Sequence, residues 1–374
     1  MSKLLLPGST IGIIGAGQLG KMLAQSAQKM GYRVAMYDPN PTSCGFSVAH
    51  TKTVASFSDR EQLLAFVQSV DVVTYEFENI DAELLQELAA NSYLPQGTQL
   101  LLTSQDRLKE KAWLKSIGVS IVDYSAVHAF EDIRIGVASV LKTSRFGYDG
   151  KGQILLESTS DLEAMQTKIE HLLSKQAMVQ ESLCEFDFEA SVMVARDTKG
   201  TINVFPPSIN QHVNGVLFSS DVSDGFNKGL TEKINEIARK IAEASQLVGV
   251  CGIEFFVTAK GEVLVNELAP RPHNSGHYTI EACNVSQFDQ HILAITGRPL
   301  IESYLLVNSL MINVLGQHMP LLPEVVNRYP NAMLHIYDKG EAKAQRKMGH
   351  FTFCDHDSLK ELTTDFLKTW RQLY

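Results

Sequence analysis

A chain of 374 residues is too long for one ordinary hydrophobic core and divides into two or three domains. Its 44% hydrophobic and 20% charged content are those of a soluble globular protein. The net charge of −9 argues against a general nucleic-acid binder, though not against phosphate ligands, which local cations and backbone N–H groups hold.

Five scattered cysteines (Cys44, Cys184, Cys251, Cys283, Cys354) lack CxxC or Cys/His spacing and read as reduced thiols of a cytoplasmic protein, with no zinc. The start, through Leu4-Leu5-Leu6-Pro7, is too short for a signal peptide, and no apolar run approaches the ~18 residues of a membrane span.

Thr10 to Gly15 reads as a buried strand, followed by the turn Gly15-Ala16-Gly17-Gln18-Leu19-Gly20 and a helix from Lys21 to Met30. A second strand, Arg33 to Tyr37, ends at Asp38. This is a βαβ unit carrying GxGxxG with an acid beyond it, the fingerprint of dinucleotide binding, and it makes an NAD-dependent oxidoreductase one candidate. The alternation continues through a strand at Val54-Ala55-Ser56, a helix from Asp59 to Val70, a strand from Asp71 to Tyr75 and a helix from Asp81 to Ala90. Residues 1–103 thus form one parallel α/β domain. Asp106 to Ile117 reads as an amphipathic helix whose Arg107 and Lys109 are, by default, solvated.

An apolar strand ending in Lys142 runs into the loop Gly147-Tyr148-Asp149-Gly150-Lys151-Gly152-Gln153. Glycine this dense between two strands favours a backbone that closes over phosphates over an ordinary surface loop. It is not a Walker A sequence, because GxxxxGK[ST] is absent. Asp161 to Lys175 reads as helix, with strands at Ala177 to Leu183 and Phe188 to Ala195. Glu181 and Glu189 are candidate nucleoside contacts, with an exposed strand end as the plain alternative. Thr201 to Phe205 and Val216 to Ser220 are short strands linked through Ile209 to His212, and His212 taken alone is a structural histidine. Thr231 to Gln246 is an amphipathic helix.

It leads into a hairpin. Cys251 to Thr258 and Val263 to Leu268 flank a turn taken as Lys260-Gly261, which sets Glu254 opposite Glu267. Facing carboxylates are destabilising unless something neutralises them. A divalent cation is one answer and two solvated side chains the other; the nearby Asn266, Arg271, His273 and Asn274 favour a site. A helix from Ser286 to Ile295 follows, then strands at Leu310 to Leu315 and Ala332 to Tyr337. Lys339, Lys343, Arg346 and Lys347 cluster in a loop before His350-Phe351-Thr352-Phe353, either as a solvated patch or as a phosphate seat. A closing helix spans Asp357 to Leu373.

Taken together, GAGQLG, GYDGKGQ, NELAPRPHNSGH and KGEAKAQRKMGH, in this order and along essentially the whole chain, resemble the ATP-grasp superfamily, and within it the N5-carboxyaminoimidazole ribonucleotide synthetases. The resemblance implies an α/β fold with a Rossmann-like first domain (1–103), an ATP-grasp domain (104–300, its lid at about 120–190) and a small C-terminal domain (301–374). It implies ATP contacts at Arg107, Lys142, Gly147 to Gln153, Glu181, Ser182, Leu183, Cys184, Glu189, His212, Asn266 and Glu267. It assigns Mg²⁺ or Mn²⁺ to Glu254 and Glu267. The implied reaction carboxylates 5-aminoimidazole ribonucleotide with bicarbonate and ATP. Tyr148 and Asp149 would shield the reacting groups, Arg271 and His273 would hold the bicarbonate, and Lys339 would bind phosphate. The ribonucleotide would also meet Gln18, Leu19, Glu76, Asn274, Ser275, Arg346 and Lys347, with Glu78 a rival to Glu76. A cytoplasmic homodimer is implied by the resemblance alone. A formate- or biotin-dependent ATP-grasp relative shares most of these features.

Overall fold

In the computed structural model, residues 3–147, 152–222, 226–354, 362 and 366–374 are described. The first sheet is parallel, in the order β3-β2-β1-β4. It comprises β1 (Thr10–Ile14), α1 (Gln18–Lys29), β2 (Arg33–Tyr37), β3 (Thr51–Thr53), α2 (Arg60–Gln68), β4 (Val72–Tyr75) and α3 (Ala82–Asn91). The third strand lies earlier than Val54-Ala55-Ser56 because Thr51–Thr53 is the stretch that pairs with Ala35–Tyr37, after which Val54 turns out to solvent. Helices α2 and α3 begin where Asp59 and Asp81 accept hydrogen bonds from first-turn N–H groups, each cap worth about 1 kcal/mol.

A helix not read from the sequence, α4 (Gln99–Ser104), comes next, and then α5 (Arg107–Ser116), which lies where Asp106 to Ile117 was expected and is capped by Asp106. A four-stranded antiparallel sheet, β5-β8-β6-β7, then contains β5 (Tyr124–Val127), β6 (Ser139–Thr143), β7 (Gln153–Leu156) and β8 (Met178–Ser182), backed by α6 (Thr159–Leu173).

The remaining strands build one nine-stranded sheet in the order β14-β13-β9-β11-β12-β15-β17-β16, with β10 on β9. They are β9 (Phe188–Arg196), β10 (Ile202–Val204), β11 (Ser208–Val213), β12 (Val216–Val222), β13 (Gly249–Val257), β14 (Val263–Ala269), β15 (Ser309–Leu315), β16 (Met333–Ile336) and β17 (Lys347–Phe353). Helix α7 (Lys228–Ala244) packs on it; α8 (Thr279–Ala282), α9 (Gln287–Ile295), α10 (Leu322–Arg328) and α11 (Phe366–Gln372) complete the chain. The expected link at Ile209 to His212 is itself strand β11. Its polar residues read as loop because they satisfy one another inside: Ser208 and Ser220 both donate to Asn210 Oδ1 (3.1 and 2.9 Å). Part of the closing helix expected from Asp357 lies outside the described residues.

The first domain is fixed to the rest through α9. Phe288, Ile292 and Ile295 join the core formed by Ile11, Leu23 and Val34. Ser26 donates to Asp289 Oδ1 at 2.7 Å in a buried position. Burying those side chains contributes on the order of 2 kcal/mol each, so this wall of the cleft is firmly seated.

Candidate active site

The glycine turn is occupied by the protein itself. Gly15 has φ of +104°, and a Cβ there would meet Glu76 at 2.7 Å. The Gly17 N–H donates to Glu76 Oε1 (2.7 Å), placing a carboxylate at the N-terminus of α1, where a dinucleotide's pyrophosphate would dock. Asp38 is spent likewise, accepting from Ala16 N (2.9 Å), Asn40 N (2.9 Å) and Ser43 Oγ (2.7 Å). The oxidoreductase reading therefore loses both its phosphate seat and its ribose acid. Burial pushes the Glu76 carboxyl up in pKa, with the Gly17 N–H opposing.

A cavity of about 880 Å³ opens beside this turn. Gln18, Leu19, Glu76 and Glu78 line it from the first domain; Glu267, Arg271, His273 and Asn274 line it from β14 and the segment beyond; Lys339, Arg346 and Lys347 line it from the C-terminal loop. The sequence-expected substrate residues thus converge, except that Ser275 is fully buried beneath, its hydroxyl 2.9 Å from His273 Nδ1. Glu78 pairs with Arg271 (2.8 Å), so both carboxylates of the Glu76/Glu78 pair serve the same wall. Both side-chain polar atoms of Asn274 are buried without a partner among the described residues, which suits a ligand contact. Gln287 pins the backbone of His273 from both sides (2.9 and 2.8 Å). Burial, then Arg271, drives the His273 pKa well below its ordinary value, so the imidazole is neutral. Burial also lowers Lys339, to about 8.

The hairpin carries a correction and a confirmation. Its turn is a three-residue loop: Thr258 and Glu262 close it, with Gly261 at φ +73°. Near the turn Phe255 therefore faces Val265, one residue out of the expected register. A bulge at Asn266 absorbs the extra residue, and Glu254 pairs with Glu267 as expected. A bulge lets neighbouring side chains turn to one side, which removes the strict alternation that would otherwise set Asn266 and Glu267 on opposite faces. Burial and the facing Glu267 push the Glu254 carboxyl up. Asn266 Oδ1 is buried without a partner among the described residues. Two facing carboxylates and an orphan carbonyl oxygen are the donor set that a hard divalent cation takes. Around them lie Arg107 (3.5 Å from Glu267), His273 (3.7 Å from Glu254) and the Glu189–His212 pair (2.6 Å). Burial opposes charge on His212, but Glu189 and Glu254 outweigh it and raise its pKa.

Across the cleft, Lys142 on β6 reaches Glu181 on β8 at 2.8 Å, and Lys111 on α5 reaches the same carboxylate at 3.0 Å. All three are almost fully buried. Lys111 was not singled out from the sequence; nor was Glu110, which accepts from Leu268 N (3.3 Å) in the cavity wall. The signal was the shared helical face of Arg107, Glu110, Lys111 and Leu114, masked by their charge. Arg107 is thus not solvated. Gln153 pairs with Lys142 across β6 and β7, Gly152 has φ of +77°, and Gly147 reaches the cavity. Tyr148, Asp149, Gly150 and Lys151 lie outside the described residues. Ser182 ends β8, and Leu183 and Cys184 follow it toward the stacked rings of Phe186 and Phe256.

The sequence matches three family models: the ribonucleotide synthetase preATP-grasp domain over residues 8–105, the ATP-grasp domain over 112–288 and the phosphoribosylaminoimidazole carboxylase C-terminal domain over 309–363. It is 43% identical to the N5-carboxyaminoimidazole ribonucleotide synthase of Bacillus subtilis (strain 168), covering 98% of each chain. The fold superposes with a TM-score of 0.91 on the N5-carboxyaminoimidazole synthetase of Staphylococcus aureus complexed with ADP, at 40% identity, over 100% of this chain and 99% of that one. It superposes with 0.89 on the Aspergillus clavatus enzyme in complex with ADP and 5-aminoimidazole ribonucleotide, at 26% identity, over 99% and 100%. With its glycine turn closed by Glu76 and its facing glutamates set by a bulge, the chain belongs to the N5-carboxyaminoimidazole ribonucleotide synthase family of ATP-grasp ligases.

Proposed function

We propose that this chain joins bicarbonate to the exocyclic amine of 5-aminoimidazole ribonucleotide at the expense of ATP, giving N5-carboxyaminoimidazole ribonucleotide, ADP and phosphate in de novo purine biosynthesis. The observation that carries this reading is the single cavity in which Glu76, Arg271, Asn274 and Lys339 meet beside Glu267.

Bicarbonate is a poor electrophile. One of its oxygens attacks the γ-phosphorus of ATP, the bond to the ADP oxygen breaks, and carboxyphosphate results. The amine then attacks the carboxyl carbon, phosphate leaves, and the amine loses a proton. Bringing two anions together needs fixed positive charge. Lys142, held by Glu181, and Arg107 supply it on the nucleotide side. Arg271, braced by Glu78, holds bicarbonate. Neutral His273 hydrogen-bonds to that anion without adding charge. Glu254 and Glu267, with Asn266, are the residues that would hold Mg²⁺ or Mn²⁺, which supplies charge neutralisation at the phosphates. Lys339, Arg346 and Lys347 take the ribose phosphate, and Gln18, Leu19, Glu76 and Asn274 the rest of the ribonucleotide. Glu181 to Cys184 and the Glu189–His212 pair take the nucleoside of ATP.

The proposed assembly is a homodimer and the proposed setting the cytoplasm; no helix among the described residues is long and apolar enough to cross a membrane. The test is ATP hydrolysis with and without the ribonucleotide at varied bicarbonate. Phosphate release that requires both is expected. Release independent of the ribonucleotide points to another ATP-grasp ligase and overturns the assignment.

A further inference from the structure

Behind the cavity, three imidazoles form a column. His335 and His350 are cross-strand partners on β16 and β17, their rings stacked at 4.6 Å and 11°. His277, which follows the Asn274–Gly276 turn, lies on the other side of His350 at 4.7 Å. Glu281, one helical turn after His277, reaches His335 Nε2 at 2.6 Å. Ligand atoms of Glu281, His335 and His350 come within 4.8 Å of one another. Nearly parallel rings, however, aim their lone pairs along separate planes, so the trio is a hydrogen-bonded stack and not a cation cage.

The column ends in a phenol. Tyr337, 3% exposed, sets its hydroxyl 2.7 Å from His350 Nδ1. Tyr337 is the last residue held in the ladder before the basic loop, its N–H donating to Met348 O (2.8 Å) and its carbonyl accepting from Lys21 Nζ (3.0 Å). The chain then turns sharply, with Asp338 at φ +62° and Gly340 at φ +73°. The Lys339 ammonium sits 5.6 Å from the centroid of the Tyr337 ring. Burial holds His350 neutral and keeps Tyr337 protonated, so the contact between them is one neutral hydrogen bond.

We propose that Tyr337 and His350 are positioning residues for the ribonucleotide's phosphate. The phenol, locked by His350, fixes the point from which Lys339 leaves the sheet. The His277 contact ties that point to the Asn274 turn, so two parts of the cavity lining, Lys339 and Asn274, are set by one stack. The inference rests on Lys339 binding that phosphate, as proposed above.

Tyr337→Phe in the full-length enzyme keeps the ring under Lys339 and removes only the hydrogen bond to His350. The apparent KM for the ribonucleotide should rise about 3- to 10-fold, the effect of one neutral hydrogen bond, with KM for ATP and kcat at saturation unchanged. His350→Asn, whose amide lies where Nδ1 lies, should stay nearer the wild type than His350→Leu. A KM change equal for both substrates, or a lowered melting temperature with both KM values intact, overturns the positioning role. Lys339→Ala separates the two readings. If it leaves the ribonucleotide KM unchanged, the phosphate assignment fails and takes this inference with it. If it raises that KM while Tyr337→Phe does not, only the stack is refuted.

Discussion

Replacing Glu267 with Gln tests the hairpin from two directions at once. The register puts the β-carbons of Glu254 and Glu267 about 5 Å apart. Two unit charges at that separation repel by roughly 3 kcal/mol at an effective dielectric near 20. Glu267 is 45% exposed, and solvent screening, the raised Glu254 carboxyl and the Arg107 contact that the variant gives up reduce the net gain to about 1 kcal/mol. Without divalent cation, Glu267→Gln should therefore be the more stable protein, melting roughly 1–2 °C higher. With Mg²⁺ the order should reverse, because the wild type gains a bound ion that the variant holds poorly. Turnover should fall at least about 100-fold, the loss seen when one preorganised charge is removed from a transition state. The assay is a thermal melt with and without millimolar Mg²⁺, paired with phosphate release. A variant that melts lower in chelator, or that keeps the wild-type Mg²⁺ shift, refutes the facing pair as a cation seat.

Two further outcomes are expected. Lys339 must be charged to hold a phosphate, and burial lowers its pKa to about 8, so kcat/KM for the ribonucleotide should fall as pH rises through about 8 while that for ATP does not. A pH profile shared by both substrates contradicts the assignment. Lys111→Met leaves Glu181 paired only with Lys142. That pair is then electrically neutral, so the apparent KM for ATP should rise about 10-fold, and urea denaturation should show a loss of about 2–3 kcal/mol. An unchanged KM would mean that Lys142 does not face the nucleotide.

The elements with strong periodicity or an aspartate cap were legible, and α2, α3, α5 and α9 lie within a residue or two of their expected ends. The Glu254–Glu267 pairing was also legible, though by a route that contained two compensating departures. The turn holds one residue more than Lys260-Gly261 implied, and the bulge at Asn266 returns it. Local turn chemistry cannot reveal a bulge some residues away, because its cause is tertiary. Strand β11 was missed because Ser208 and Asn210 look solvated until Ser220 is beside them. Lys111 and Glu110 were missed for the same reason, since a buried charge is recognisable only through its partner, and Glu181 and Leu268 are distant in sequence. The basic loop was read correctly as a cluster, but Lys347 already belongs to β17.

The nine-stranded sheet has a practical meaning for anyone trimming this chain. The residues beyond 300 read from the sequence as a small separate module, yet β15 pairs directly with β12 and carries β17 and β16 outward. A chain cut before Ser309 would strip Ser219 to Val222 of their β15 partners, leaving only the β11 side of β12 paired, and lay bare Phe218, now packed against Tyr374. What remained would present an open strand edge beside the bared ring of Phe218, the kind of surface on which copies stack into aggregates. The C-terminal part is therefore better regarded as the finishing course of the sheet than as an appendage to it.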